Sequence, residues 1–151
     1  MTDAVIDVVG MDELPTIVAL YNQVFRPAKP LDTFRRRYLG RYNVLQLLAR
    51  LDDQPVGFFM GFELKPGTFY AWFYGVVPDA RRNGVGAQLI EAAQAWATQA
   101  GYDLLRLECH NQHRPMLHLA IGLGYDIVGL RWDAERGENL VIFEKPLQGG
   151  E

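Results

Sequence analysis

Apolar positions along the chain change period several times, and each change marks an element. Ile6 to Val9 is short and β-branched and reads as a strand. Behind Asp12, which suits a helix N-cap, Leu14, Ile17, Val18 and Tyr21 recur at helical spacing. Pro27 and Pro30 interrupt that helix. A second runs from Leu31-Asp32 to about Leu39-Gly40, where glycine suits a left-handed C-cap. Val44 to Leu51, Pro55 to Leu64 and Thr68 to Val77 read as strands. Asp52-Asp53 and Lys65-Pro66-Gly67 join them, and connections this short make an antiparallel meander.

The strongest helical stripe follows. From Val85, residues Leu89, Ala92-Ala93, Trp96 and Ala100 line one face and Gly101 ends it. Leu104 to Cys109 is a strand, Pro115 to Leu123 a helix, and Tyr125 to Trp132 and Asn139 to Leu147 a closing hairpin. Strand, long helix, strand in the middle predicts one parallel pair inside a mostly antiparallel sheet. The fold class is α/β (α+β), with one domain over residues 1–147 and a frayed tail from Gln148 to Glu151.

Composition narrows the functions available. The chain has 151 residues, of which 49% are hydrophobic and 22% charged, enough to bury a core without staples. Its formal charge of −3 argues against a general nucleic-acid role, which needs a basic field. The run Arg35-Arg36-Arg37 is the exception. It reads as the solvated side of a helix, with an acidic-substrate or phosphate contact as the second reading. A single cysteine, Cys109, excludes an internal disulfide framework and fits a reducing cytoplasm. The start Met1-Thr2-Asp3-Ala4-Val5-Ile6-Asp7 carries no signal-peptide pattern, and no apolar run approaches the ~18 residues that span a bilayer.

Chemistry concentrates between Gly75 and Ala87, GVVPDARRNGVGA. A strand runs into a loop, and the loop into a helix with two glycines at its start. Helix N-termini present unsatisfied N–H groups and a positive dipole end, and glycine lets a phosphate oxygen approach them. Arg81 and Arg82 add charge-assisted donors. The stretch predicts a pyrophosphate cradle. A P-loop would need Lys-Ser or Lys-Thr after Gly86, where Ala87-Gln88 stands; a Rossmann fingerprint would need glycine at Leu89.

Val76-x-Pro78 followed by Arg81-x-x-Gly84-x-Gly86 resembles the signature of the GNAT acetyltransferases, (Gln/Arg)-x-x-Gly-x-(Gly/Ala). His113 to Tyr125 is similar to their second CoA-contacting region, and Phe143-Glu144-Lys145-Pro146-Leu147 to their last strand. The resemblance implies a mixed sheet whose central parallel pair splays, flanked by helices, and acetyl-CoA as co-substrate without a metal. Val76, Val77, Arg81, Arg82, Asn83, Gly84, Val85, Gly86 and Ala87, with His113 and Met116, would bind the CoA. The Val76 N–H would polarise the thioester carbonyl as an oxyanion donor. The implied activity is direct N-acetyl transfer in a ternary complex, to a primary amine of a small molecule or peptide. The alternative is a catalytically degenerate acyl-CoA-binding regulatory domain. Neither nucleic acid nor membrane is an expected partner, and a homodimer stays open.

The sequence departs from that family at the acid and the base. The tyrosine that protonates the leaving thiolate in many members aligns with Ala120, and the asparagine that opens the region aligns with His113. A glutamate used as base in some members aligns near Trp72, and Glu63 lies at the far end of its hairpin. Glu108 and His110, on one side of the strand that flanks the thioester, are the catalytic candidates. Their bland readings are a surface carboxylate and a loop residue. Cys109 reads as core, and His110, His113 and His118 do not have metal-ligand spacing. Of the many aromatic residues between Phe58 and Tyr74, most are core. Trp72 and Tyr74 are expected to face an acceptor, with Phe25-Arg26 and Trp132 framing the same pocket.

Overall fold

In the computed structural model, which describes residues 4–148, seven strands form one sheet. They are β1 (Val5–Val8), β2 (Leu45–Leu51), β3 (Gln54–Lys65), β4 (Thr68–Val76), β5 (Leu104–His110), β6 (Asp126–Asp133) and β7 (Glu138–Pro146). Four helices accompany them: α1 (Leu14–Val24), α2 (Leu31–Tyr38), α3 (Val85–Gln99) and α4 (Arg114–Gly122). The sheet order is β1-β2-β3-β4-β5-β7-β6, and each neighbouring pair except β4–β5 is antiparallel. The fold is therefore the mixed α/β architecture that the order of elements predicts.

Helices on both faces give the sheet two cores. One packs α3 and α4 residues such as Leu89, Ile90, Ala93 and Ala120 against Phe59, Phe69, Leu105, Leu107 and Phe143. The other packs Leu14, Ile17, Tyr21 and Phe34 of α1 and α2 against Leu48, Phe58, Met60 and Phe62. At ~1.5–3 kcal/mol for each large side chain removed from water, these layers hold the sheet rigid at its centre. The same rigidity lets the sheet stay open where β4 and β5 part.

Several local expectations change. Asp12 does not cap α1: it sits in a 3-10 turn, Met11–Glu13, and the cap position is Glu13, without a side-chain hydrogen bond. Ala100 is exposed, and Ile90, Ala93 and Ala97 form the inner stripe of α3. Gln148 is no frayed end, because its Nε2 donates to Thr98 O (2.8 Å) and Tyr102 O (3.0 Å). The rest of the expected tail, 149–151, lies outside the described residues, as do Met1 to Asp3.

Sequence alternation fails once, at a place that matters. Met60 pairs with Phe73 and Gly61 with Ala71, so Trp72 is an extra residue, a β-bulge. Trp72 and Phe73 consequently pack with the same α1/α2 layer, at ring-centroid distances of 5.7 Å and 6.3 Å from Phe34. Gly61 permits this. A Cβ there would lie 2.7 Å from Tyr70 O and 2.8 Å from the Phe59 and Phe69 rings.

Candidate active site

The parallel pairing of β4 and β5 runs only from Thr68↔Leu104 to Ala71↔Leu107. Beyond it, Phe73–Val76 remain bonded to β3, and Glu108–His110 to β7, but not to each other. The central pair splays, as the family resemblance implies. One cleft of about 1420 Å³ runs through the parting, from the start of α3 to the α1–α2 side.

The upper wall of this cleft comes from one contiguous stretch. β4 leads through the 3-10 turn Pro78–Ala80 into a loop where Arg82 (φ 70°) and Gly84 (φ 76°) are both left-handed. Gly84 is the N-cap of α3 and has no side chain to offer the helix end. The first helical hydrogen bond runs from Gln88 N–H to Gly84 O (3.0 Å), so the amides of Val85, Gly86 and Ala87 have no intrahelical partner. A Cβ on Gly86 would stand 3.7 Å from Leu119 Cδ2 and 3.9 Å from Val76 Cγ2, in the mouth of the cleft. Open amides, two arginines and a gap where a Cβ would intrude fit a CoA diphosphate.

The expected cofactor residues do not all lie there. Val76, Arg81, Arg82, Gly84, Val85, Gly86, Ala87, His113 and Met116 line the cleft. Val77 and Asn83 do not: the Val77 N–H donates to Val56 O (2.9 Å), and Asn83 Nδ2 turns back to Ala80 O (3.4 Å). Because Val77 bonds to β3, strand alternation points the Val76 N–H and C=O into the parting. The Val76 carbonyl accepts from Arg81 Nε (2.9 Å). Tyr74 stacks on Phe59 and its hydroxyl reaches across to donate to Glu108 O (3.1 Å).

Below the parting lie the two catalytic candidates, and neither matches its bland reading. The Glu108 side chain is only 11% exposed. Its Oε1 accepts from Tyr70 OH (3.1 Å) and Arg131 Nη2 (2.7 Å). His110 is the last residue of β5, paired with Leu140, and its Nε2 lies 3.0 Å from Asp133 Oδ2. That contact, more than anything else, holds the Asp133 carboxyl below its ordinary range. Burial first, then the nearby Glu108 charge, pushes the Tyr70 phenol up, so Tyr70 stays a donor to Glu108 at neutral pH. The Arg131 pKa is raised mainly by its hydrogen bond to Glu108. Desolvation, followed by the charges of Arg81 and His110, holds the His113 imidazole below its usual value.

Other candidates go elsewhere. Cys109 is buried, which pushes its thiol up to about 12, far from a thiolate nucleophile. Glu63 accepts from Tyr102 OH (2.8 Å), away from the cleft. His118 is exposed on α4, and among the described residues no three metal-ligating side chains cluster. Trp72, Tyr74, Phe25 and Arg26 line the cleft as expected; Trp132 does not, being 61% exposed on the outermost strand. Tyr70, Arg131 and Asp133 were not foreseen. Tyr70 could have been found by alternation with Trp72, whereas no local signal places Arg131 and Asp133 against β5.

A mixed sheet parted at its parallel pair, with an anion-binding helix terminus at the parting, defines a class: an acyl-transfer fold. Residues 12–125 match the Acetyltransferase (GNAT) family, and the chain belongs to that family, whose co-substrate is acetyl-CoA. Solved structures agree in fold. The ribosomal-protein-S18-alanine N-acetyltransferase from Escherichia coli superposes with a TM-score of 0.85 at 18% identity, over 98% of this chain and 96% of its own. The structure of yncA from Salmonella typhimurium with its cofactor acetyl-CoA gives 0.80 at 14%, over 98% and 96%. Arabidopsis thaliana NAA60, solved with a bisubstrate analogue, gives 0.79 at 13%, over 97% and 99%. No curated protein matches by sequence. Among the described residues no helix is long and apolar enough to cross a membrane.

Proposed function

We propose that this protein transfers the acetyl group of acetyl-CoA directly to a primary amine while both substrates are bound. The observation that carries the reading is Glu108. Its carboxylate is sheltered at the lower edge of a parted sheet, with Oε1 fixed by Tyr70 and Arg131 and Oε2 without a protein partner among the described residues. Acetyl-CoA supplies an activated thioester carbonyl. Arg81, Arg82 and the amides of Val85, Gly86 and Ala87 hold the diphosphate, and the Val76 N–H donates to the carbonyl oxygen as charge develops on it. An alkylammonium has a pKa near ~10.4, so Glu108 takes its proton, directly or through one water, before the nitrogen attacks. The C–N bond then forms, the C–S bond breaks, and the nitrogen's surplus proton passes to the departing thiolate, giving the amide and CoA thiol. A thiol of pKa ~8.5 leaves without a dedicated acid, which accommodates Ala120. His110, oriented by Asp133, is the second candidate base.

Ala120, fully buried and without a hydroxyl, favours one rival reading: a domain that binds acyl-CoA and transfers nothing. Thiol release from acetyl-CoA with a panel of amines, amino acids and peptides separates the two. Release is expected, and Glu108→Gln should lower kcat by on the order of 10²–10⁴ while CoA binding is unchanged. Tight CoA binding without release from any acceptor would establish the rival.

A further inference from the structure

Three consecutive arginines on a helix point ~100° apart, so they cannot share one role. On α2 they separate accordingly. Arg35 is not part of the cleft; Arg36 lines it but pairs with Asp32 (3.4 Å), one turn back. Arg37 has no carboxylate partner among the described residues. Its Cζ lies 5.6 Å from the centroid of Trp72, the bulge residue, which is itself wedged against Tyr38 at 5.6 Å and Phe73 at 4.9 Å. A planar guanidinium laid against an aromatic face is oriented in advance, with its donor edge free for an anion.

The neighbouring cleft residues repeat the pattern. Arg26 donates only to the main-chain carbonyls of Asn22 and Phe25. Arg136, from the β6–β7 turn, donates to Arg26 O, joining that turn to the α1–α2 connection. Lys29 likewise makes no ion pair among the described residues. Of the carboxylates on this side, Asp32, Glu108 and Asp133 are engaged by Arg36, Arg131 and His110, and Glu135 alone faces these cations unpaired. The chain as a whole carries −3, so the positive rim is a local arrangement and not a reflection of composition. The floor of the cleft thus offers the free oxygen of an ion-paired Glu108, and its rim is positive.

We infer that the acceptor is an amine carrying an anionic group, carboxylate or phosphate, on the same molecule, with Arg37 as the residue that selects for it. The inference rests on the amine-transfer reading above. The amine sits towards Glu108 and the anion towards Arg37, a polarity that rejects plain diamines and favours amino-acid-like or aminoalkyl phosphate acceptors. Arg37 touches no reacting atom, so it acts on acceptor affinity and not on the bond-making step.

The test compares acceptors that differ only in charge. Free amino acids are set against their carboxamides, and aminoalkyl phosphates against the parent amino alcohols, with thiol release from acetyl-CoA as readout. The anionic member of a pair should be preferred about 10-fold or more in kcat/KM, and added salt should erode that preference. Which pair responds tells carboxylate from phosphate. Arg37→Gln should abolish the preference by raising KM, with kcat within about twofold and CoA affinity and thermal midpoint unchanged. Arg37→Lys should retain part of it. Equal use of charged and neutral members by the wild type, or an equal fall of kcat for both in Arg37→Gln, overturns the inference and leaves amine transfer standing. Release from no amine at all overturns both.

Discussion

The two halves of the cleft are made in different ways. The half assigned to CoA is mostly main chain: consecutive residues from Pro78 to Ala87, with glycines at 84 and 86 and the open amides of one helix turn, joined by the Arg81 and Arg82 side chains. The half assigned to the acceptor is side chain: Arg26 after α1, Arg37 on α2, Trp72 on β4, Glu108 on β5, Arg131 on β6 and Arg136 on the last turn. A main-chain cradle recognises a diphosphate whatever side chains surround it. A wall of side chains on separate elements can be exchanged one residue at a time without disturbing the sheet. The fold itself persists at 13–18% identity, with TM-scores of 0.79–0.85.

Substitutions can break that division or sharpen it. The largest effect on binding is expected at Gly84. A side chain at φ 76° is strained, and Gly84→Glu also sets a carboxylate beside the diphosphate. CoA Kd should rise on the order of 10²-fold by calorimetry, while the strain lowers the thermal midpoint by only a few degrees. Unchanged affinity would mean the cradle is not main chain at all. A smaller and opposite asymmetry is expected at Trp72. Trp72→Phe keeps an aromatic ring in the bulge but weakens the platform under Arg37, raising acceptor KM about 5-fold with CoA affinity within about twofold. If both fall together, Trp72 serves the core and not the acceptor wall.

The smallest effect belongs to His113, which lies where the halves meet. Its pKa is lowered in the folded protein, so on acidification the unfolded chain takes up the proton first. Its contribution to stability is present in full above the ordinary value of about 6.5 and falls as pH drops into the window below it. His113→Gln should reduce the loss of thermal midpoint between about pH 7 and about pH 5.5 by about 1 °C in calorimetric scans. An unaltered or steeper loss would mean the ring is freely solvated.

Legibility followed the same division. The loop from Pro78 to Gly84 was readable because its parts, a proline-started turn, a left-handed glycine and a following helix, are all local. The strand meander was readable because Asp52-Asp53 and Lys65-Pro66-Gly67 admit only tight turns, with Asp52, Asp53 and Gly67 all at positive φ. Period-two alternation correctly put Glu108 and His110 on one side of β5. It gave no sign that Trp72 and Phe73 would share one layer, because a bulge is set by contacts around Gly61 from three other residues and leaves no trace in the strand's own pattern. Arg131 was invisible as a partner of Glu108: the two residues meet across β7, which is paired with both of their strands.

The sequence by itself determined the order of elements, the parallel pair in the middle and the loop that opens the long helix beside the parting. Each of these depends on spacing, turn chemistry and hydrophobic period within a few residues. Tertiary structure alone decided how far the sheet opens, which oxygen of Glu108 is occupied and which of the two cleft-lining arginines of α2 is left without a carboxylate among the described residues. Those are outcomes of packing between elements far apart in the chain, where the position of each side chain depends on neighbours that no local pattern names.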